Sequence, residues 1–370
     1  MLFFLFLFIL YLVFLIVFIY STLRLKLKTP LHDQSPGISI IIAIRNGQES
    51  LPQLIEDLSK QNYIGSLEFI LVDDESTDKT KTIIDSTIKK DNRFKYFSSK
   101  EGSSNLSTKK RALDVGIRNA SHENLLFSDV DCRIPSSWAR IMSGYFIAGY
   151  EYLVGFSSIS FKKPNNYISI FQRIDFLLLM IMCRASNYFG YPLASSGQNQ
   201  GFTKSLYLRS GGFLKINSFI GDDTAFLQHC NNIGCKSIFI DNYQSSIISR
   251  KEFKISRFLS QRIRWVADAN KLWKLNFNFF FILFISFLSF CAFPIIIYNN
   301  ISNYLFVGTL AVLKMIVEFL LLYCGAKKLK IKFKLYEFLW WELLHIPYIV
   351  IIGLLSYFVK FFSWRGRRLI

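Results

Sequence analysis

The feature that most constrains this chain is an uninterrupted apolar segment at its N-terminus. Residues 1–20 carry no charged side chain, and about 20 apolar residues are what an α-helix needs to cross the hydrocarbon core of a bilayer. A cleaved signal peptide has basic residues before a shorter apolar core and small residues at its cleavage site. Here Arg24, Lys26 and Lys28 follow the apolar run instead. We therefore predict an uncleaved membrane anchor over residues 1–22, with its basic end in the cytoplasm.

The C-terminal third contains three more apolar segments, each long enough to cross a bilayer, at residues 275–298, 304–324 and 338–362. We assign residues 274–362 to transmembrane or interfacial helices and residues 363–370 to a basic tail. Four full crossings would place this tail outside the cell, against the tendency of basic residues to stay in the cytoplasm. We therefore expect one segment, at residues 333–352, to be interfacial or re-entrant.

The charge of the chain agrees with attachment to an anionic membrane surface. The 370 residues include 44 Lys and Arg against 26 Asp and Glu, a net charge of +18, and a basic stretch occupies residues 327–334. Nucleic-acid binding is an alternative source of such a charge, but no recognition motif accompanies it, so we expect no nucleic-acid partner. Within the second C-terminal segment, Lys314 and Glu318 are four residues apart and can pair inside the membrane.

The middle of the chain, residues 35–270, has the pattern of an α/β domain. Short apolar runs predict strands at residues 38–44, 67–72, 94–97 and 124–128, and periodic segments predict helices at 49–61, 77–90 and 107–119. This alternation, with strands that are apolar along their length, indicates a mostly parallel sheet covered by helices on both faces. The six cysteines form no C-x-x-C pair, which agrees with a cytoplasmic domain that keeps them reduced.

Polar clusters follow three of the predicted strands, at residues 45–47, 73–78 and 129–131. Parallel strands end at the same edge of a sheet, where α/β folds bind ligands, so we expect these clusters to line one cleft. Each cluster alone has a plainer explanation as a turn, and Ser76 or Thr77 can simply cap the next helix. The three clusters together favour a ligand site.

Two aspartates in the third cluster, Asp129 and Asp131, fall on the same side of the chain if the segment is extended. Carboxylate oxygens suit Mg²⁺ or Mn²⁺, and a divalent ion there would neutralise a diphosphate. A D-x-D sequence is also common in ordinary polar loops. The other candidates at this edge are Asp73 and Asp74, for a base or ribose, and Lys109 and Arg111, for negative charge or as part of a solvated helix face.

Two later segments complete the candidate site. Asp222 and Asp223 open a helical stretch, where a carboxylate is either a helix cap or a general base for an acceptor hydroxyl. Gln261, Arg264 and Trp265 share one helix face. That face offers an amide, a guanidinium for a diphosphate and an indole for a sugar ring. The alternative for this face is anchoring at the membrane surface.

Taken in order, five motifs resemble those of membrane-bound family 2 glycosyltransferases: residues 72–78, 109–116, 129–131, 221–223 and 261–265. The resemblance covers residues 36–270 and the flanking membrane helices. It implies a GT-A fold, an enzyme that inverts the configuration at the sugar carbon, and a nucleotide diphosphate sugar as the donor.

The resemblance also implies roles for single residues. Asp73 and Asp74 would contact the base and ribose of the donor, Lys109 its phosphates, and Asp129 and Asp131 the metal ion and diphosphate. Asp73, Asp74, Asp129 and Asp131 belong to the clusters expected at the sheet edge, and Lys109 is a further candidate at the same edge.

The last two motifs carry the remaining implied roles. Asp223 matches the general base of the family, although Gly221-Asp222-Asp223 stands where many relatives have T-E-D, which leaves Asp222 as an alternative base. The residues that match the family's Q-x-x-R-W element, which contacts diphosphate and acceptor, are Gln261, Arg264 and Trp265.

The acceptor is the least determined part of the sequence-based interpretation. Q-x-x-R-W resembles both processive polysaccharide synthases and single-transfer enzymes that act on lipids. Three C-terminal segments are few for a polymer channel, so we expect a lipid or lipid-linked acceptor at the cytoplasmic face of a bacterial inner membrane. A processive synthase is the alternative within the family, and a non-catalytic nucleotide-sugar-binding membrane scaffold is the alternative outside it. Residues 191–204 are expected to help choose the sugar or acceptor.

Overall fold

The structure is a computed structural model and describes residues 2–30, 34–160, 162, 165–216, 223–300, 303–361, 363–364 and 367–368. The chain begins with a long apolar helix, α1 (Leu2–Arg24), continues into an α/β domain and ends with three more long helices. The predicted bounds of the N-terminal anchor, the central domain and the C-terminal helical region stay a prediction.

The strands of the central domain are β1 (Ile38–Ile44), β2 (Leu67–Asp73), β3 (Phe94–Ser98), β4 (Asn124–Phe127), β5 (Cys132–Arg133), β6 (Tyr152–Gly155), β7 (Ser157–Ile159), β8 (Gln200–Thr203), β9 (Ser237–Ile240) and β10 (Ile247–Ser249). Its helices are α2 (Leu51–Ser59), α3 (Thr80–Ile88), α4 (Thr108–Asn119), α5 (Trp138–Ile147), α6 (Tyr167–Ser186), α7 (Lys204–Arg209), α8 (Thr224–Asn232) and α9 (Ile255–Ala269). Every strand and helix predicted for residues 38–128 is present.

Seven strands form the main sheet in the order β3-β2-β1-β4-β8-β6-β9. β1 runs parallel to both β2 and β4, and β2 runs parallel to β3. β8 is antiparallel to its neighbours β4 and β6. The sheet is therefore mostly parallel, as predicted, and the carboxyl ends of β1, β2 and β4 meet at one edge. A smaller sheet has the order β5-β10-β7.

Alternate residues of β1 face two separate hydrophobic cores, because side chains along a strand point to opposite faces in turn. Ile40 and Ile42 join a core with Leu54 of α2 and Trp138 of α5. Ile41 belongs to the core on the other face, which continues through α6 into the long terminal helices. The sheet and the helix bundle thus share one continuous apolar interior.

The C-terminal helices are α10 (Phe277–Asn299), α11 (Tyr304–Lys328) and α12 (Leu335–Leu355), and two short strands follow, β11 (Ser363–Trp364) and β12 (Arg367–Arg368). Together with α1, they give four helices that are long and apolar enough to cross a membrane, the last of them over residues 335–359. The N-terminal anchor predicted from the sequence is therefore a helix of suitable length and composition. Inside α11, Lys314 and Glu318 form the predicted pair, with Nζ 2.8 Å from Oε2.

Helix α6 joins the central domain to the long helices through buried charges. Arg184 pairs with Asp241 at 2.7 Å and donates to the carbonyl oxygens of Thr22 and Leu25, at the C-terminal end of α1. At the other end of α6, Arg173 pairs with Glu337 at the start of α12. Most side chains of α6 are buried, so α6 is a core helix.

One detail differs from the sequence-based expectations. Helix α3 begins at Thr80, so Ser76 and Thr77 do not cap it; Asp78 Oδ1 instead accepts a hydrogen bond from the Thr80 backbone N–H at 3.0 Å. The reason is that Ser76 is used elsewhere, since its hydroxyl accepts from the backbone N–H of Asn46 at 2.9 Å. All six cysteines are free, as predicted.

Candidate active site

The loops after β1 and β2 are tied together at the carboxyl edge of the sheet. Asn46 adopts a left-handed conformation, with φ of 50°, and its side-chain oxygen accepts from the Thr77 backbone N–H at 2.8 Å. The backbone N–H of Gly47 donates to the Thr80 hydroxyl at 2.9 Å. The first two polar clusters predicted from the sequence are therefore in direct contact.

Asp73 and Asp74 are buried at this edge and already have partners. Asp73 Oδ1 accepts from the Ser76 backbone N–H at 3.0 Å, and Asp74 Oδ1 accepts from the Ser99 hydroxyl at 3.0 Å. Their relative exposures are 8% and 5%, so the side chains are held in fixed orientations. Such fixed carboxylates suit recognition of hydroxyl or N–H donors on a ligand.

Arg111 lies over the polar cluster at residues 73–78 rather than beside the cluster at residues 129–131. Its Nη2 is 2.9 Å from Glu75 Oε1 and 4.0 Å from Asp74 Oδ1. Glu75 has a φ of 58°, a left-handed backbone conformation that is uncommon outside glycine. The guanidinium thus compensates the negative charges of Asp74 and Glu75, and the two cations predicted at the start of α4 separate into different roles.

Lys109 is the cation that meets the D-x-D sequence. Its Nζ is 3.0 Å from Asp129 Oδ1, and the two side chains stay 35% and 28% exposed. The segment is not extended as expected: the chain turns at Val130 and Asp131, because the Val130 side chain is buried in the core below. Both aspartates remain half-buried at the edge, and their oxygens fit a hard divalent cation such as Mg²⁺ or Mn²⁺.

Asp223 is the N-terminal cap of α8 and is held by two backbone groups. Its Oδ1 accepts from the Thr224 N–H at 2.6 Å, and its Oδ2 accepts from the Gly197 N–H at 3.0 Å. Gly197 belongs to the segment 191–204, which the sequence singled out for sugar or acceptor choice. Asp222, the alternative base, lies outside the described residues.

The Q-x-x-R-W motif lies in α9, where Gln261, Arg264 and Trp265 are half-buried. Arg262 lies within the same motif, but its side chain is only 2% exposed. Its Nε is 3.0 Å from Asp175 Oδ2 on α6, and its guanidinium lies 4.1 Å from the ring centre of Trp265. The sequence analysis missed Arg262, because two arginines one residue apart give no sign of which one is buried.

Asp268, one helical turn beyond Arg264, is the second residue that the sequence analysis missed. Burial and the negative charge of Asp223 raise the pKa of its carboxyl to about 7, while Arg264, Lys271 and Lys110 act in the opposite direction. Asp268 therefore has charged neighbours on three elements: the N-terminus of α8, the motif helix α9 and helix α4. This brings the Asp223, Arg264 and Lys109–Lys110 segments into one electrostatic neighbourhood.

Comparison with known proteins identifies the class of protein to which this site belongs. Residues 39–239 match the family described as "Glycosyl transferase family 2", and residues 146–360 match "Glycosyl transferase family group 2". The chain belongs to family 2 of the glycosyltransferases.

Two curated relatives are similar to the chain. A "GalNAc(5)-diNAcBac-PP-undecaprenol beta-1,3-glucosyltransferase" of Campylobacter jejuni is 29% identical over 120 residues, which is 32% of this chain and only 38% of that protein. An "Uncharacterized glycosyltransferase" of Haemophilus influenzae is 23% identical over 256 residues, which is 67% of this chain and 95% of that protein. The enzyme class predicted from the motifs is therefore confirmed.

The fold has a counterpart among solved structures. The mannosyltransferase PcManGT from Pyrobaculum calidifontis, solved with GDP-Man and Mn²⁺, superposes with a TM-score of 0.59 at 14% identity, and the match covers 84% of this chain and 92% of that one. The mostly parallel sheet with terminal membrane-length helices is thus the GT-A arrangement expected from the resemblance.

Proposed function

We propose that this protein transfers a sugar from a nucleotide diphosphate sugar to a hydroxyl of a lipid or lipid-linked acceptor, with inversion at the anomeric carbon. The observations that carry the proposal are the ion pair of Lys109 with Asp129 at 3.0 Å and the electrostatic influence of Asp223, Arg264 and Lys110 on the Asp268 carboxyl. A carboxylate that can act as a base and cations that can meet a diphosphate thereby share one site.

In the proposed mechanism, Asp223 accepts the proton of the acceptor hydroxyl. The oxygen attacks the anomeric carbon from the face opposite the diphosphate, the bond from that carbon to the diphosphate oxygen breaks, and the nucleotide diphosphate leaves with the bonding electrons. Lys109 and Arg264 stabilise the negative charge that develops on the leaving group. Asp73 and Asp74 orient the base and ribose, and Gln261 and Trp265 contact the acceptor or sugar.

Asp129 and Asp131 would hold a divalent cation, Mg²⁺ or Mn²⁺, whose chemistry is to neutralise the diphosphate. The ion pair of Lys109 with Asp129 marks this position as one that takes positive charge. PcManGT, which has the same fold, was solved with GDP-Man and Mn²⁺, which supports the same assignment here.

A lipid-linked acceptor is supported by two observations. The relative from Campylobacter jejuni has an undecaprenol-linked oligosaccharide in its name. In this chain, the end of α9 lies close to the long apolar helices, since Asn270 donates to the Ser356 hydroxyl just beyond α12 at 2.9 Å. An acceptor whose tail lies in the bilayer can reach such a site without leaving the membrane.

The central domain is proposed to face the cytoplasm of a bacterial cell, because basic residues follow α1 and separate α11 from α12. Helix α12 contacts the central domain at both ends, through Glu337 with Arg173 at its start and Ser356 with Asn270 beyond its end. Both ends of α12 then lie on the domain's side of the membrane. This supports an interfacial or re-entrant α12 and a cytoplasmic basic tail.

The test is a panel of nucleotide sugars offered to the purified full chain in membranes with Mg²⁺ or Mn²⁺, with lipid products identified by mass spectrometry. We expect one donor to give a singly glycosylated lipid, and Asp131→Ala to abolish the transfer while Glu49→Gln, an exposed change, leaves it intact. A product of many sugar units would indicate the processive alternative. Nucleotide-sugar binding without any transfer or donor hydrolysis would contradict catalysis and favour the scaffold.

A further inference from the structure

A second cluster of ionisable side chains lies in the helix bundle, away from the sheet edge. Lys314 Nζ is 2.8 Å from Glu318 Oε2 and 2.9 Å from Glu342 Oε1. The Tyr11 hydroxyl of α1 donates to Glu318 Oε1 at 2.5 Å. His345 Nδ1, one turn along α12 from Glu342, is 3.7 Å from the same oxygen. Three helices, α1, α11 and α12, therefore contribute to one polar cluster.

The cluster is largely buried and incompletely paired. Lys314 and Glu318 are each 2% exposed, and His345 is 7% exposed. Glu342 Oε2 and His345 Nδ1 are buried and have no hydrogen-bond partner among the described residues. One carboxylate oxygen of each glutamate and one ring nitrogen of His345 lie within 4.8 Å of one another. A carboxylate oxygen of Glu342 and a ring nitrogen of His345 are thus buried without partners near the Glu318 carboxylate. This arrangement indicates that a positively charged group or a proton is still needed.

The neighbouring elements do not supply that charge. On the bundle side, α10 contributes Ser289, whose hydroxyl donates to the Leu7 carbonyl, and the Phe290 ring, which packs against the His345 ring with centres 4.8 Å apart. The charged residues of α6 are used elsewhere, since Arg173 pairs with Glu337 and Asp175 with Arg262. Among the described residues, the charge of the cluster is therefore set by Lys314, Glu318, Glu342 and His345.

Charge arithmetic then selects the ligand. With a neutral imidazole, one ammonium and two carboxylates leave a net charge of −1, and an uncompensated charge inside a membrane-embedded bundle costs several kcal/mol. One proton brings the cluster to neutrality. A divalent metal ion would bring it to +1 and would compete with Lys314, which already binds both carboxylates.

We propose that Glu318 and Glu342 form a proton-binding site inside the helix bundle, which holds one exchangeable proton between the two carboxyl groups beside Lys314 and His345. The site does not depend on the proposed transfer reaction. Tyr348 lies on α12, one turn beyond His345 of the site. The Tyr348 hydroxyl donates to Asp175 at 3.3 Å. Asp175 is the partner of Arg262 in the motif helix, so the proton site and the candidate active site share a structural connection.

The test is infrared spectroscopy of the full chain in lipid nanodiscs at about pH 8, where exposed carboxyl groups are ionised. A protonated carboxyl group gives a carbonyl stretch that shifts in D₂O, and differences between wild type and variants remove contributions from other buried acids. We expect Glu342→Gln to lose one such group, because the remaining Lys314 and Glu318 are neutral as a pair. We expect Lys314→Met to gain one, because two carboxylates then need two protons.

The control is Glu49→Gln, at a side chain that is 76% exposed, which leaves the spectrum unchanged. Metal analysis of the purified wild type is expected to find no ion that depends on the cluster. The proposal is overturned if wild type and Glu342→Gln have the same carboxylic-acid signal. It is also overturned if one metal ion per chain is lost in both Glu342→Gln and His345→Gln. Should Glu342→Gln fail to fold, Glu318→Gln is measured in its place, and an unchanged carboxylic-acid signal in that variant would equally overturn the proposal.

Discussion

At the carboxyl edge of the sheet, Lys109 and Asp129 form an ion pair whose side chains are 35% and 28% exposed. In the helix bundle, Lys314 and Glu318 form a pair in which each side chain is 2% exposed. Water screens the first pair, so its members can change partners at small cost when a charged ligand arrives. The second pair is not screened in this way, because both side chains lie among apolar groups that cannot replace a lost charged partner. Exposure thus separates charges that suit binding and chemistry from charges that hold helices together.

The largest effect is expected from Asp223→Asn, which tests whether the exposed region carries the chemistry. Asn keeps a side-chain oxygen that can accept from the Thr224 N–H, so the helix cap survives. It cannot take a proton from the acceptor, and we expect transfer to fall by about 10³-fold, or about 4 kcal/mol in the barrier. The measurement is the rate of transfer in reconstituted membranes, with nucleotide binding followed in parallel. An unchanged rate would exclude Asp223 as the base.

Arg262→Ala tests the opposite case, a buried charge that supports the site without facing it. The change leaves Asp175 buried without its partner, and we expect a loss of about 3–5 kcal/mol in stability. Arg257→Ala, at an exposed position of the same helix, is the matched control and should cost little. Thermal unfolding in detergent gives the comparison. Equal melting temperatures for the two variants would show that the Arg262–Asp175 pair does not stabilise the fold.

The same difference in exposure explains what the sequence could predict. The strand at 38–44 was predicted with its observed bounds, because a run of buried β-branched residues has few other structures available. The position of Asp73 and Asp129 at one edge follows from the parallel order of the strands, whereas Lys109 is placed beside Asp129 by the start of α4. Local pattern and one topological rule were sufficient for this part of the site.

The remaining features depend on which helix faces which, and local pattern carries no such information. Tyr11 and Glu318 are 307 positions apart in the chain and still share a hydrogen bond. The burial of Arg262 is decided by Asp175 on α6, and the environment of Asp268 by elements far away in sequence. The turn at Val130 is likewise set by the burial of the Val130 side chain in the core. Local pattern predicted an extended segment there and gave no sign of this burial.

Glu68→Gln is an intermediate case. Glu68 is a buried carboxylate of the central domain and accepts hydrogen bonds from Lys95, Ser39 and Ser121. Burial raises the pKa of Glu68, but hydrogen bonds from Lys95, Ser39 and Ser121 outweigh this and lower the pKa to about 2. The resulting stabilisation is complete above the unfolded value of 4.5 and is lost as pH falls towards 2. We expect the variant to lose about 1–3 kcal/mol near pH 7.

The check on Glu68→Gln is a pair of unfolding curves, one near neutral pH and one near pH 3. The difference between wild type and variant should shrink at the lower pH, where the wild-type carboxylate begins to gain a proton on unfolding. A difference that stays constant between the two conditions would assign the loss to packing rather than to charge.

The smallest expected effect belongs to Asp268→Asn, which lies between the two kinds of environment. Because burial and the charge of Asp223 raise its pKa to about 7, Asp268 is neutral in mildly acidic solution and ionised in mildly basic solution. Ionisation offsets part of the positive charge of Arg264 and Lys110 that the donor diphosphate needs. We therefore expect the wild-type KM for the donor to rise about three- to tenfold between pH 6 and pH 8, up to about 1.4 kcal/mol.

In Asp268→Asn the side chain stays neutral, so its donor KM should remain flat over the same pH range while kcat changes little. Ionisation of the Asp268 carboxyl also affects the stability of the fold. A folded-state pKa above the ordinary value of 3.8 means that stability falls as pH rises from about 4 through 7, and the variant should lack this fall. If wild type and variant show the same pH profile of KM, Asp268 does not tune the diphosphate site. Its burial would then be a matter of packing alone.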